Sequence, residues 1–122
     1  MAGKILIAED DQFILKAMTT KLSKEGYEVK IAVDGVALME ILKSYIPDLI
    51  ILDLLMPKKD GFEVLKEVKG VQRLKNIPIL IASNLGQEND IQQVLALGAT
   101  DYLIKSEFTL ESLVQKIKNI LK

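Results

Sequence analysis

A chain of 122 residues that is 49% hydrophobic and 27% charged, with net charge −1, has the size of one globular domain and is too short for a second of ordinary size. It holds no Cys and no His, which excludes disulfides, thiol nucleophiles, imidazole bases and metal sites built on either residue, so any metal must be held by oxygen, as Mg2+, Mn2+ and Ca2+ are. One arginine among sixteen basic residues, with lysines interspersed among acids, argues against nucleic acid as a partner, and no apolar run approaches a membrane span.

Lys4 to Ala8 is a short, β-leaning apolar run and reads as a buried strand. Glu9, Asp10 and Asp11 follow it directly, which is not the pattern of a signal peptide, and the lack of Cys suits the cytoplasm. Asp10 or Asp11 can cap a helix whose apolar residues Ile14, Met18 and Leu22 recur four apart, and Gly26 stops it. Tyr27 to Val33 mixes Glu28 and Lys30 among apolar residues, as an edge strand does. Asp34-Gly35 turns into a second helix with Leu38, Ile41, Leu42 and Tyr45 on one face, ended by Ile46-Pro47.

Leu49 to Asp53 is the most apolar strand, hence the expected central one. Lys58 and Lys59 read as a solvated loop before Gly61. Phe62, Leu65 and Val68 then mark a third helix, fading near Gly70. Pro78 opens the strand Ile79 to Ser83, and a polar loop leads to a helix with Ile91, Val94 and Leu95 closed by Gly98. Asp101 to Lys105 is a fifth strand, and Leu110, Leu113, Ile117 and Ile120 define the last helix. A βα unit repeated five times predicts an α/β domain, a parallel sheet covered by helices on both faces.

In such a sheet ligands bind at the carboxyl ends of the strands. The polar exceptions sit there: Glu9 and Asp10 after the first strand, Asp53 in the third, Ser83 in the fourth, Lys105 in the fifth. Asp53 is a lone carboxylate in an apolar run, and an isolated ionised carboxylate in such surroundings is costly without a partner. Three carboxylates brought together repel one another, and a divalent cation resolves that. With Lys105 as fixed positive charge and Ser83 as a donor, the set suits an incoming phosphoryl group attacked by Asp53.

These residues resemble those of a response-regulator receiver domain of the single-domain chemotaxis type, over nearly the whole chain. The match comprises Glu9, Asp10, Asp53, Pro57, Gly61, Ser83, Tyr102 and Lys105, with thirty residues from Asp53 to Ser83, forty-nine to Tyr102 and fifty-two to Lys105. The resemblance implies a flavodoxin-like doubly wound sheet in the order 2-1-3-4-5, with residues 1–122 as a single receiver domain and no output domain. It also implies that Asp53 accepts the phosphoryl group, in a switch rather than a separate enzyme. Asp10, Asp53 and the Leu55 backbone carbonyl would hold Mg2+ (or Mn2+), with Glu9 acting directly or through water. Lys105 would pair with the phosphoryl group, Ser83 would swing toward it, and Tyr102 would move inward into the vacated space. Partners would be a histidine kinase or histidine phosphotransfer protein and a downstream protein at the face of the fourth helix, fifth strand and fifth helix, with neither nucleic acid nor membrane engaged.

Several positions depart from the common pattern. Glu9 stands where Asp is frequent, and its extra methylene favours contact with the metal through water. Asn84 follows Ser83 where a small Ala is usual. Ser106 follows Lys105 where Pro is usual, and a cis bond without Pro costs about 2.5–4 kcal/mol, so a trans bond is expected. Leu55 and Leu85 are apolar where fast-hydrolysing relatives carry amide or acid groups, which predicts slow loss of phosphate. The alternative is a receiver-like binding module that works without phosphorylation. A flavin carrier is disfavoured because Glu9-Asp10-Asp11 would repel a phosphate. A dehalogenase-type phosphatase is disfavoured because Leu55 stands where it needs a second Asp.

Overall fold

A computed structural model describes residues 3–84 and 88–122. Leu85, on which one sequence expectation rests, lies outside the described residues. Strands and helices alternate as β1 Lys4–Ala8, α1 Gln12–Lys24, β2 Glu28–Ala32, α2 Gly35–Ile41, β3 Leu49–Leu52, α3 Gly61–Gly70, β4 Ile79–Ser83, α4 Glu88–Ala96, β5 Asp101–Ile104 and α5 Leu110–Ile120. The strands form one parallel sheet in the order β2-β1-β3-β4-β5, so β3 is central and the polar-flecked β2 is an edge, as expected.

Successive side chains of a strand point to opposite faces, and β3 shows why its sequence must be apolar throughout. Leu49 and Ile51 pack with Ile5, Ile7, Met18, Leu22 and Ile117 under α1 and α5. Ile50 and Leu52 pack with Leu6, Leu38, Val64, Val68 and Val94 under α2, α3 and α4. All four β3 residues are buried, and each contributes about 1.5–3 kcal/mol by leaving water. Among the described residues no helix is long and apolar enough to cross a membrane.

Asp11 caps α1, accepting from the Phe13 and Ile14 N–H groups at 3.0 and 3.3 Å, which leaves Asp10 outside the cap. Asp34 and Asp60 cap α2 and α3 in the same way, and Thr109 with Ser112 forms a capping box on α5.

Helix α2 is shorter than its periodicity predicts. It ends at Ile41, and Tyr45 is not on it. The Tyr45 hydroxyl instead donates to Glu28 at 3.1 Å, and the Lys30 ammonium lies 4.9 Å from the ring centre. The edge strand β2 captures this side chain with a hydrogen bond and a cation–π contact, which offsets the loss of another helical turn. Strands β2, β3 and β5 each stop one residue before the sequence reading. Asp53 and Lys105 nevertheless continue the ladder, donating their N–H groups to Ala8 and Ser83 carbonyls at 3.0 and 2.9 Å.

Candidate functional site

The parallel register aligns the strand ends. Ala8 pairs with both Ala32 and Leu52, and Ser83 with Ile104. The next residue on three of those strands carries a charge, so Glu9, Asp53 and Lys105 emerge together at one edge. Each is tied to a neighbouring strand by its own backbone, Glu9 through its N–H to the Ala32 carbonyl at 3.0 Å. The side chains therefore stand on the rigid sheet rather than on mobile loops.

Lys105 Nζ donates to Glu9 Oε1 at 2.7 Å and to Asp53 Oδ2 at 3.1 Å. Glu9 is 2% exposed and Asp53 3%. This is the partner that the lone carboxylate of β3 requires. Ser106 follows without a cis bond, and the ammonium reaches both acids all the same. Burial pushes the Glu9 carboxyl up from its ordinary 4.5 to about 6, although Lys105 and the Asp11 N–H act the other way. Burial also works to lower the Lys105 ammonium, but Glu9 and Asp53 outweigh it and hold Lys105 above its ordinary value.

Asp10 is exposed beside this pair. Glu9, Asp10 and Asp53 each offer a carboxylate oxygen, and these oxygens lie within 4.8 Å of one another. An all-oxygen set of that charge suits a hard divalent cation. Both oxygens of Glu9 are already engaged, Oε1 with Lys105 and Oε2 with the Asp11 N–H at 3.1 Å. That fits contact with an ion through water rather than direct ligation. The Leu55 N–H donates to Asp53 Oδ1 at 3.3 Å, while its side chain is 57% exposed beside the acid.

Ser83, fully buried, ends β4, and the Tyr102 ring in β5 is 9% exposed and part of the core. Burial pushes the Tyr102 hydroxyl up, with Ser83 acting in the opposite sense. The Tyr102 Oη is buried without a hydrogen bond of standard geometry among the described residues. Asn84, next to Ser83, is exposed.

Two glycines shape the loop after Asp53. A Cβ on Gly61 would collide with the Asp53 carbonyl oxygen and lie 2.7 Å from Leu54 Cα, while the Gly61 N–H donates to the Leu54 carbonyl at 2.9 Å. A Cβ on Gly35 would strike the Lys59 carbonyl and come within 2.8 Å of Lys59 Cβ. The sequence signals both glycines as turn positions, but not the approach of Gly35 to Lys59, which lies on a distant loop. Nor are Lys58 and Lys59 merely solvated. Lys58 adopts a left-handed φ of 68° and pairs with Asp34 at 3.6 Å, and Lys59 pairs with Glu67.

Comparison with known proteins agrees with this geometry. Residues 5–118 match the model of the response regulator receiver domain. Response regulator RR06 of Streptococcus pneumoniae is 39% identical over 97% of this chain and 52% of its own length. The chain thus spans about half the length of the curated relatives it matches. Chemotaxis response regulator CheY4 of Vibrio cholerae has a structure similar at a TM-score of 0.90, with 32% identity, covering 97% of this chain and 98% of that one. The Mn2+-bound form of response regulator Rcp1 is similar at 0.83, with 34% identity, covering 97% and 91%. With a flavodoxin-like sheet, an acid cluster at its carboxyl edge and a lysine closing it, this chain belongs to the response regulator receiver domain family, the phosphorylation-regulated signalling domain of two-component systems.

Proposed function

We propose that Asp53 is the phospho-acceptor of this domain. The observation that carries the proposal is the contact of Asp53 Oδ2 with Lys105 Nζ at 3.1 Å, at the strand edge where Asp10 and Glu9 complete an acidic cluster. An Asp53 carboxylate oxygen attacks phosphorus of a phosphohistidine on a histidine kinase or phosphotransfer protein. A P–O bond forms, the P–N bond breaks, and the leaving imidazole takes up a proton. These 122 residues hold no His, so the phosphohistidine lies outside them. Lys105 balances the charge gathering on the phosphoryl oxygens, moving from the carboxylates it now holds.

Asp10, Asp53 and the Leu55 carbonyl are the proposed direct ligands of Mg2+, or Mn2+, with Glu9 acting through water. The ion, when bound, supplies positive charge that offsets the acids and the phosphoryl group. Ser83 turns toward the new acyl phosphate. Tyr102 already lies inward in this structure, so phosphorylation is proposed to shift the population of that position rather than to create it. The change is read at the α4-β5-α5 face by a downstream protein.

Incubation with acetyl phosphate and Mg2+, followed by intact-mass measurement, tests the reading. The expected result is the gain of one phosphoryl group, lost in Asp53→Asn and on chelation of the metal. No gain in the unaltered chain would instead favour a binding module that works without phosphate.

The acyl phosphate should also be long-lived. The apolar Leu55 side chain beside the acid cannot orient or deprotonate a water. Phosphate release followed over time should take minutes or longer, and Leu55→Asn should speed it by about ten- to a hundredfold. Decay of the unaltered protein within seconds would sink the idea.

A further inference from the structure

The loop between β3 and α3 leads away from Asp53 and carries the Leu55 carbonyl proposed as a metal ligand. Its turn is strained. Lys58 has a φ of 68°, the only positive value at a non-glycine residue among the described residues. The Lys59 N–H donates to the Pro57 carbonyl, two residues back, at 2.8 Å. A bond of that span around a residue of positive φ marks the rarer form of γ-turn, which a side chain makes costly. Backbone in such a state persists only where its surroundings over-determine it.

The surroundings are the start of α2. Asp34 is buried, 7% exposed, and divides its carboxylate between two tasks. Oδ1 accepts from the Ala37 N–H at 2.8 Å and caps the helix, while Oδ2 lies 3.6 Å from Lys58 Nζ. The next residue, Gly35, lies so near Lys59 that a Cβ would strike its carbonyl and come within 2.8 Å of its Cβ. Two consecutive residues at the start of α2 thus grip two consecutive residues of the turn, one by charge and one by close packing. Because Asp34 is buried, its pull on the ammonium is screened less than that of an exposed acid.

We propose that Lys58 and Asp34 are a positioning pair for the metal site. Their contact holds the strained turn in place and so fixes the backbone of Leu55, whose N–H already binds Asp53 Oδ1 at 3.3 Å, before an ion arrives. Neither residue touches the reacting atoms. The proposal rests on the reading of Asp10, Asp53 and the Leu55 carbonyl as the metal ligands. Apparent affinity scales with the fraction of chains whose site is already formed, so releasing the turn weakens ion binding without removing a ligand.

Lys58→Asn, Asp34→Asn and the double variant test this in the full chain. Asn tolerates the left-handed region and serves as an N-cap, so each change removes a charge and keeps the backbone and the cap. In calorimetric titration with Mg2+, each single variant should bind about two- to fivefold more weakly. The double variant should bind no more weakly than either single one, and Lys58→Arg should match the unaltered chain. The differences should narrow at high salt. Additive losses in the double variant overturn the proposal. So does a urea midpoint that moves in metal-free buffer while Mg2+ affinity stays where it is, the mark of a purely structural contact. Binding of Mg2+ that Asp53→Asn leaves unchanged overturns the ligand reading and the pair with it. If Asp53→Asn weakens binding and the other variants do not, the pair alone is overturned.

Discussion

Replacing Lys105 with Met should destabilise the metal-free domain by about 3–5 kcal/mol, the loss expected when one partner of a buried ion pair is removed and the other is left behind. Here two partners are left, Glu9 at 2.7 Å and Asp53 at 3.1 Å from the ammonium, with Asp10 close by. Millimolar Mg2+ should restore a substantial part of that stability, because a cation between the carboxylates replaces the missing charge. Asp53→Asn should behave in the opposite way. It removes one of the repelling acids while Lys105 keeps Glu9, so stability should hold or rise. Urea titrations with and without Mg2+ check both. Equal midpoints for Lys105→Met under the two conditions would show that the acids do not share an ion site.

The same variant has a pH signature. The folded value of Glu9, about 6, lies above its ordinary 4.5. Its contribution therefore favours the fold below 4.5 and is lost as the pH rises through about 6. Without Lys105 the ionised acid is worse placed still, so the deficit of Lys105→Met should shrink as the pH falls through that range.

Gly61→Ala should cost about 3 kcal/mol and reduce phosphorylation of Asp53 more than its stability loss explains. The added Cβ would meet the Asp53 carbonyl and lie 2.7 Å from Leu54 Cα, closer than side-chain carbons approach backbone. Helix α3 must then draw back from the end of β3, breaking the bond from the Gly61 N–H to the Leu54 carbonyl. The carboxylate and the Leu55 carbonyl shift together. Mass gain from acetyl phosphate, measured well below the melting temperature of the variant, separates misplacement from unfolding. An alanine variant phosphorylated at the rate of the unaltered chain would show that the loop tolerates the displacement.

The strand-end chemistry was legible because a parallel sheet imposes a simple rule on sequence. Buried strands admit few polar residues, so Glu9, Asp53, Ser83 and Lys105 stand out where apolar runs stop, and the fold alone brings those stops to one edge. Tyr45 was misread because Leu38, Leu42 and Tyr45 keep a helical spacing past the point where the helix ends, and the pull of Glu28 and Lys30 is a contact across the fold. Gly35 was legible as the turn into the second helix, but its close approach to the Lys59 carbonyl was not, since that contact joins the start of α2 to a loop that no local pattern relates to it. The choice between Asp10 and Asp11 as cap was open in the sequence, and the geometry assigns it to Asp11.

The strand order also ties the site to the completeness of the sheet. Glu9 and Asp53 belong to adjacent strands at the centre of the sheet, whereas their cation arrives on β5, the far edge, ninety-six residues after Glu9. Closing a contact of such long sequence separation costs chain entropy, because the intervening residues must surrender their freedom. The counter-charge of the buried acid pair is thus supplied by the strand that completes the sheet beside β4. The cluster of Glu9, Asp53 and Lys105 is therefore complete only when the sheet is, its edge strand included.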